Sequence, residues 1–241
     1  MTSPSIHAHG ISVTYPRPLL ALNRSARLSH KALDTLSFEI EEGERVGLLG
    51  RNGSGKSTLL RTLAGVYPVS GGSLDVTGTT AAIFNATSGF VPHATGRENI
   101  MLRGVVLGLS REEIAELTPS ILEFADLGEW IERPIMLYSS GMTLRLAFAI
   151  TTSVRKDILL MDEWIGAGDA AFLQKAQARM AEMVEDSKII VLATHNTPLM
   201  ERVCDRAIVL RDAGIAYDGP VKGAIELYRT LRDGEAADAD G

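Results

Sequence analysis

Apolar residues fall along this chain in two rhythms. Short unbroken runs, "RVGLL" at 45–49, "DILLMDE" at 157–163 and "KIIVLATH" at 188–195, read as strands buried on both faces. Apolar positions three or four apart mark helices in "STLLRTLAGV" from Ser57, in the stretch 96–131, in "TLRLAFAITTSV" and in "AAFLQKAQARMAEMVED". The last of these lies between two of the strand runs, and that alternation predicts a mostly parallel sheet. "LSFEIEEGERVGLL" reads as two strands around Glu41-Glu42-Gly43, and "AIVLRDAGIAYDG" as a hairpin through Ala213-Gly214. Between Gly71 and Phe84, Gly, Ser and Thr alternate with Leu, Val and Ile, which predicts short antiparallel strands. The middle of the chain is helical, with "SREE" at 110–113 as a start signal.

The predicted architecture is therefore α/β: one domain over 1–232, with a helical subdomain at about 97–150 inserted between strand-forming regions. The tail 233–241 is acidic, lacks large apolar residues and is expected to be disordered. With 241 residues and 45% hydrophobic composition the chain can bury a full core, built from aliphatic residues because aromatics are only 5%. The net charge of −6 argues against a nucleic-acid surface, although a local basic groove can hide in an acidic total. Cys204 is the single cysteine, so no intrachain disulfide forms; within "VCDRAIVL" it reads as a small buried hydrophobe. No signal peptide is expected at "MTSPSIHAHG", and no run approaches the length of a membrane span.

"GRNGSGKST", from Gly50 to Thr58, follows a strand and opens a helix, the context a phosphate-binding loop requires. Gly50, Gly53 and Gly55 let the backbone approach closely, and the successive N–H groups of Arg51, Asn52 and Ser54 form a nest for phosphate oxygens. Lys56 brings a mobile positive charge to the β- and γ-phosphates. The Ser57 hydroxyl is a ligand for Mg²⁺, and the helix end up to Thr58 adds its dipole. Asp162 and Glu163 end an apolar strand: Asp162 would hold the metal, and Glu163 would polarise an attacking water as general base. His195 ends another such strand. In a parallel sheet the carboxyl ends of strands converge on one ligand crevice, which sets this histidine apart from an ordinary structural one. "YSSGM", Tyr138 to Met142, opens an apolar helix either as a plain cap or as an anion cradle.

Together these segments resemble the nucleotide-binding subunit of an ATP-binding cassette (ABC) transporter, over roughly residues 10–230 and in the family's motif order. The resemblance implies a P-loop ABC ATPase core with a mostly parallel sheet, an antiparallel β subdomain and an inserted α-helical subdomain. It also implies ATP and Mg²⁺ as ligands. In this family the signature, usually LSGGQ, caps the γ-phosphate of ATP bound by the other subunit. Here Ser139 and Gly141 match, Ser140 replaces the first glycine and Met142 the glutamine. Asp169 falls at the family's distance after Glu163, and Tyr15 is the candidate for stacking on adenine, with a packed strand residue as the alternative.

"YSSGM", "GFVPHATGRENI" and "DEWIGAGDAAF" narrow the resemblance to cassettes that export O-antigen, capsule or teichoic acid polymers from bacteria. That implies a homodimer at the cytoplasmic face of the inner membrane, held there by a permease dimer that handles the lipid-linked glycan, with no nucleic acid. Some such subunits carry a C-terminal glycan-binding domain, which is not expected here. Residues 75–100 hold no glutamine where most cassettes have one; Asn85 or Ser88 are the nearby substitutes. A soluble ABC ATPase acting on DNA or ribosomes, a non-hydrolysing regulatory module and a P-loop kinase are the competing classes. The first usually needs coiled-coil insertions or a second cassette, and the last leaves the signature and His195 unexplained.

Overall fold

The structure, a computed structural model, describes residues 3–15, 30–84, 89–163 and 169–239. It divides into two compact units. The first takes in Met1–Thr80, Asp157–Glu163 and Lys188–Gly241; the second takes in Ala81–Lys156 and Trp164–Ser187.

In the first unit, β1 (Ser5–Tyr15) lies between β2 (His30–Ile40) and β4 (Gly71–Thr77) in an antiparallel sheet. A second sheet centres on β3 (Arg45–Leu49). It pairs in parallel with β7 (Ile189–Ala193) on one side and β8 (Arg206–Arg211) on the other. Strand β6 (Ile158–Asp162) extends the sheet in parallel beyond β7, and β9 (Gly214–Pro220) closes it as an antiparallel hairpin with β8. Side chains of β3, β6 and β7 are almost wholly buried, as unbroken apolar runs require. Because Leu48 and Asp162 both pair with Ala193, the carboxyl ends of β3, β6 and β7 finish at one level. Helices α1 (Lys56–Leu63), α6 (Thr197–Val203) and α7 (Val221–Ala239) complete this unit. Arg206 ties the two sheets together: its guanidinium bonds Asp218, Glu44 and the carbonyl of Glu39, and the Asp218 bond chiefly raises its pKa.

The second unit begins along β5 (Thr80–Ile83) and is otherwise helical: α2 (Gly96–Val106), α3 (Arg111–Ala125), α4 (Ser140–Thr151) and α5 (Ala170–Asp186). Both α2 and α3 start on capping boxes, Thr95 with Glu98 and Ser110 with Glu113, the second of them the "SREE" signal. Its core is an aromatic triangle in which Phe148 lies 5.4 Å from Phe124 and 5.8 Å from Phe172. Asn99 is wholly buried, yet its amide is satisfied by backbone groups of Val91, Ala94 and Thr95. On α2, Met101, Leu102, Val105 and Val106 remain exposed.

The observed mixed sheet, antiparallel sheet and helical unit are those the sequence predicts. Strand β4 is an antiparallel partner of β1. One detail differs. The turn of the last hairpin falls on Asp212 and Ala213, which both adopt positive φ (49° and 63°) as a two-residue type I′ turn needs, one residue before Gly214. The backbone of helix α7 runs to Ala239. Cys204 is buried, and that burial pushes its thiol up to about 12. Among the described residues no helix is long and apolar enough to cross a membrane.

Candidate functional site

The loop from β3 into α1 is shaped by its glycines. At Gly50 (φ 149°) a Cβ would stand 2.4 Å from Ser54 Oγ and 2.5 Å from the Leu210 carbonyl, so no other residue fits. Helix α1 begins at Gly55 in left-handed backbone, and no side chain caps it. Its first-turn N–H groups therefore face the concavity in need of an acceptor. Ser54 Oγ, buried, has no hydrogen-bond partner. Lys56 is 8% exposed and folds back, its Nζ donating to the carbonyls of Gly50 (2.6 Å) and Arg51 (3.0 Å). Burial lowers its pKa, while the charges of Asp162 and Glu163 raise it. An uncapped helix start, an orphaned hydroxyl and a buried ammonium make a site for an anion with several oxygens.

The cavity beside this loop, about 380 Å³, is lined by Asn52, Gly53, Gly55, Lys56, Ser57 and Thr58, with Asp162, Glu163, His195, Tyr15, His30 and Ala32. The structure thus brings together the phosphate loop, the two strand-end acids and the histidine, from motifs up to 143 positions apart (195 − 52). Ser57 and Asp162 offer a hydroxyl and a carboxylate, the hard oxygen donors that suit Mg²⁺. Glu163 sits in left-handed backbone at φ 76°, unusual for a residue with a side chain, and its N–H is pinned to the Ala193 carbonyl at 2.8 Å. Thr194 donates its hydroxyl to Glu163 Oε2 (3.4 Å), and His195 Nε2 lies 3.8 Å from Glu163 Oε1. The Tyr15 hydroxyl hydrogen-bonds Thr58 Oγ1 (3.0 Å), and its ring meets Tyr67 edge-on at 5.5 Å. Tyr15 is therefore both a packed strand residue and part of the cavity wall.

In the second unit, Ser139 caps α4 by accepting the Met142 N–H at 3.2 Å. Accepting leaves the hydroxyl proton of Ser139 free to donate, and the first-turn N–H groups at Ser140 and Gly141 extend the same edge. A shallow concavity joins Ser139, Gly141 and Met142 to Arg145, Asp169, Asp126, Leu127 and Trp130. Asp169 caps α5 by accepting the Phe172 N–H at 2.9 Å and pairs with Arg145. Those two bonds, the backbone one first, hold its carboxyl below the usual range. The plain-cap reading of "YSSGM" is thus correct locally and compatible with anion binding.

Four contributors were not singled out from the sequence: Arg145, Thr194, His30 and Tyr228, whose hydroxyl lies 3.3 Å from His195 Nδ1. Arg145 is a charge inside an otherwise apolar helix, a signal the sequence does contain. Asn85 and Ser88, the proposed substitutes for a glutamine, lie outside the described residues, as does the segment 164–168.

A match to the ABC transporter family covers residues 33–166. The O-antigen export system ATP-binding protein RfbE of Yersinia enterocolitica is 46% identical over 187 residues, 78% of each chain. The O-antigen export system ATP-binding protein RfbB of Myxococcus xanthus is 41% identical across 82% of this chain and 46% of its own. The teichoic acids export ATP-binding protein TagH of Bacillus cereus is 40% identical across 84% of this chain and 37% of its own, so this chain spans less than half of either of these two relatives. Among solved structures, a dimeric ATP-binding cassette in a post-hydrolysis state with ADP and Pi matches with TM-score 0.69 at 22% identity, covering 90% of this chain and 98% of that one. The ATP-binding subunit of an ABC transporter matches with TM-score 0.71 at 22% identity, covering 92% and 91%. At that identity the likeness carries the fold.

Proposed function

The chain belongs to the ABC transporter family, and from that premise we propose that it is the ATP-hydrolysing subunit of a bacterial exporter of a lipid-linked polysaccharide of O-antigen, capsule or teichoic acid type. The observation that carries the ATPase reading is the single cavity uniting Lys56, Asp162, Glu163 and His195 with the phosphate loop. The polysaccharide class is supported by the relatives named for O-antigen and teichoic acid export.

The residues divide the chemistry. Backbone N–H groups of 50–58 and the uncapped start of α1 hold the phosphates, and Lys56 Nζ exchanges its carbonyl partners for phosphate oxygens. Ser57 and Asp162 would hold Mg²⁺, which when bound screens the phosphate charge. Glu163 accepts a proton from the attacking water, and its pinned backbone aims the carboxylate at the cavity. His195 Nε2 donates toward the same point. The Ser139 hydroxyl and the N–H groups after it bind the γ-phosphate held by a second copy, so two nucleotides are closed between two chains, with Asp169 near that contact. A dimeric cassette of similar fold supports the pairing of two copies.

The membrane partner is a permease dimer that handles the glycan, and the chain sits at the cytoplasmic face of the inner membrane through it. Met101, Leu102, Val105 and Val106, exposed and apolar on α2, support the helical unit as the docking face. Met101→Cys and Val105→Cys should each crosslink to the co-expressed permease, with Mg-ATP hydrolysis measured on the same complex. Crosslinks confined to α7 would sink the docking assignment, and absent hydrolysis the ATPase reading.

A further inference from the structure

His195 is held from two sides. Its Nε2 lies 3.8 Å from Glu163 Oε1, and its Nδ1 lies 3.3 Å from the hydroxyl of Tyr228. Tyr228 stands on α7, which packs against β3, β8, β9 and α6, and only 9% of the residue is exposed. With Leu231 and the phosphate-loop residues Gly50 to Ser54 it lines a second cavity of about 220 Å³. The phenol therefore reaches His195 from a buried, well-supported position.

A neutral imidazole carries one hydrogen, and the partner of one nitrogen decides where it sits. A bare Nε2 would set its lone pair against the carboxylate oxygen of Glu163; an Nε2–H faces it favourably. The lone pair then falls to Nδ1, where among the described residues the Tyr228 hydroxyl is the partner, and that hydroxyl must donate.

We propose that Tyr228 is the positioning residue for His195: by donating to Nδ1 it fixes the ring orientation and the tautomer that presents Nε2–H to the cavity where Glu163 and Lys56 converge. The inference deepens the ATPase reading and rests on it for its catalytic consequence. Phenylalanine would fill the same space beside α7 without the hydroxyl, so Tyr228→Phe isolates the hydrogen bond.

The test uses the full-length chain with ¹⁵N-labelled histidine. The chain has five histidines, and loss of one resonance set in His195→Gln assigns the relevant ring. Wild type should show the nitrogen pattern of an Nε2–H ring and Tyr228→Phe a mixture of tautomers, with melting temperature preserved. For hydrolysis, Tyr228→Phe should lower kcat about tenfold while KM for ATP changes less than about twofold, the split expected when a transition-state contact loosens. Unchanged tautomers would overturn the proposal whatever kcat does, because a purely structural loss can slow turnover too. Changed tautomers with wild-type kcat would overturn the positioning role. Should wild type itself release no phosphate, the ATPase reading fails, while the nitrogen spectra still decide whether Tyr228 sets the ring.

Discussion

Two helices of this protein begin at glycine-rich or serine-rich turns, and they begin differently. Helix α1 starts on Gly55 with no capping side chain, beside a buried Lys56 whose ammonium hydrogen-bonds backbone carbonyls of its own loop. Helix α4 starts on Ser139 with its cap already made, and the nearby cation, Arg145, is already paired with Asp169. The first start is unfinished without an anion. The second is stable as it stands and has only a hydroxyl proton and backbone N–H groups to lend. An anion site can thus be built as a full cradle or as half of one, and the half depends on what another molecule brings to it. In the first unit folding leaves the polar groups waiting; in the second it satisfies most of them.

The largest effect is expected from Lys56→Ala. It removes the buried ammonium of the full cradle, and ATP turnover should fall by on the order of 10²–10³-fold or more. Phosphate release at saturating Mg-ATP measures it, and a variant near wild type would take Lys56 out of the site. Next comes Glu163→Gln, which keeps shape but cannot accept the water's proton. Turnover should fall about 10²–10⁴-fold, and light scattering with Mg-ATP should show a dimer where the wild-type chain alone is mostly monomer. Adding Ser139→Arg should return the variant to monomer, because the long side chain blocks the half-cradle. A double variant that stays dimeric would refute the role of α4.

The smallest effect belongs to Asp169. Its carboxyl is held below its ordinary range by the Phe172 N–H and by Arg145, so its contribution is present above the unfolded carboxylate range and lost as pH falls through the folded value. Asparagine can still cap α5 but cannot pair with Arg145. The melting-temperature gap between wild type and Asp169→Asn should be positive at neutral pH and close as pH falls through the lowered folded value. A gap that stays constant with pH would mean that the charge on Asp169 is idle.

What the sequence disclosed was chiefly local. Unbroken apolar runs announced β3, β6 and β7, and "GRNGSGKST" announced its own backbone, because glycine spacing and a neighbouring strand and helix act over a few residues. The helical unit was visible through its period and the Ser110–Glu113 box. Partners across the fold were not. That Asp169 answers Arg145, or His195 answers Tyr228, depends on packing between residues 24 and 33 positions apart. The partner of β4 was hidden for the same reason, since its antiparallel neighbour is β1, some sixty positions earlier.

The lone thiol, Cys204, is sequestered and held as a protonated sulfhydryl far above physiological pH. Maleimides and thiosulfonates react through the thiolate, so they leave this residue alone in the folded chain. The native protein is therefore already a silent background for site-specific probes. A spin label, fluorophore or crosslinker attached at a single introduced cysteine reports from that place alone, with no need to alter the wild-type core.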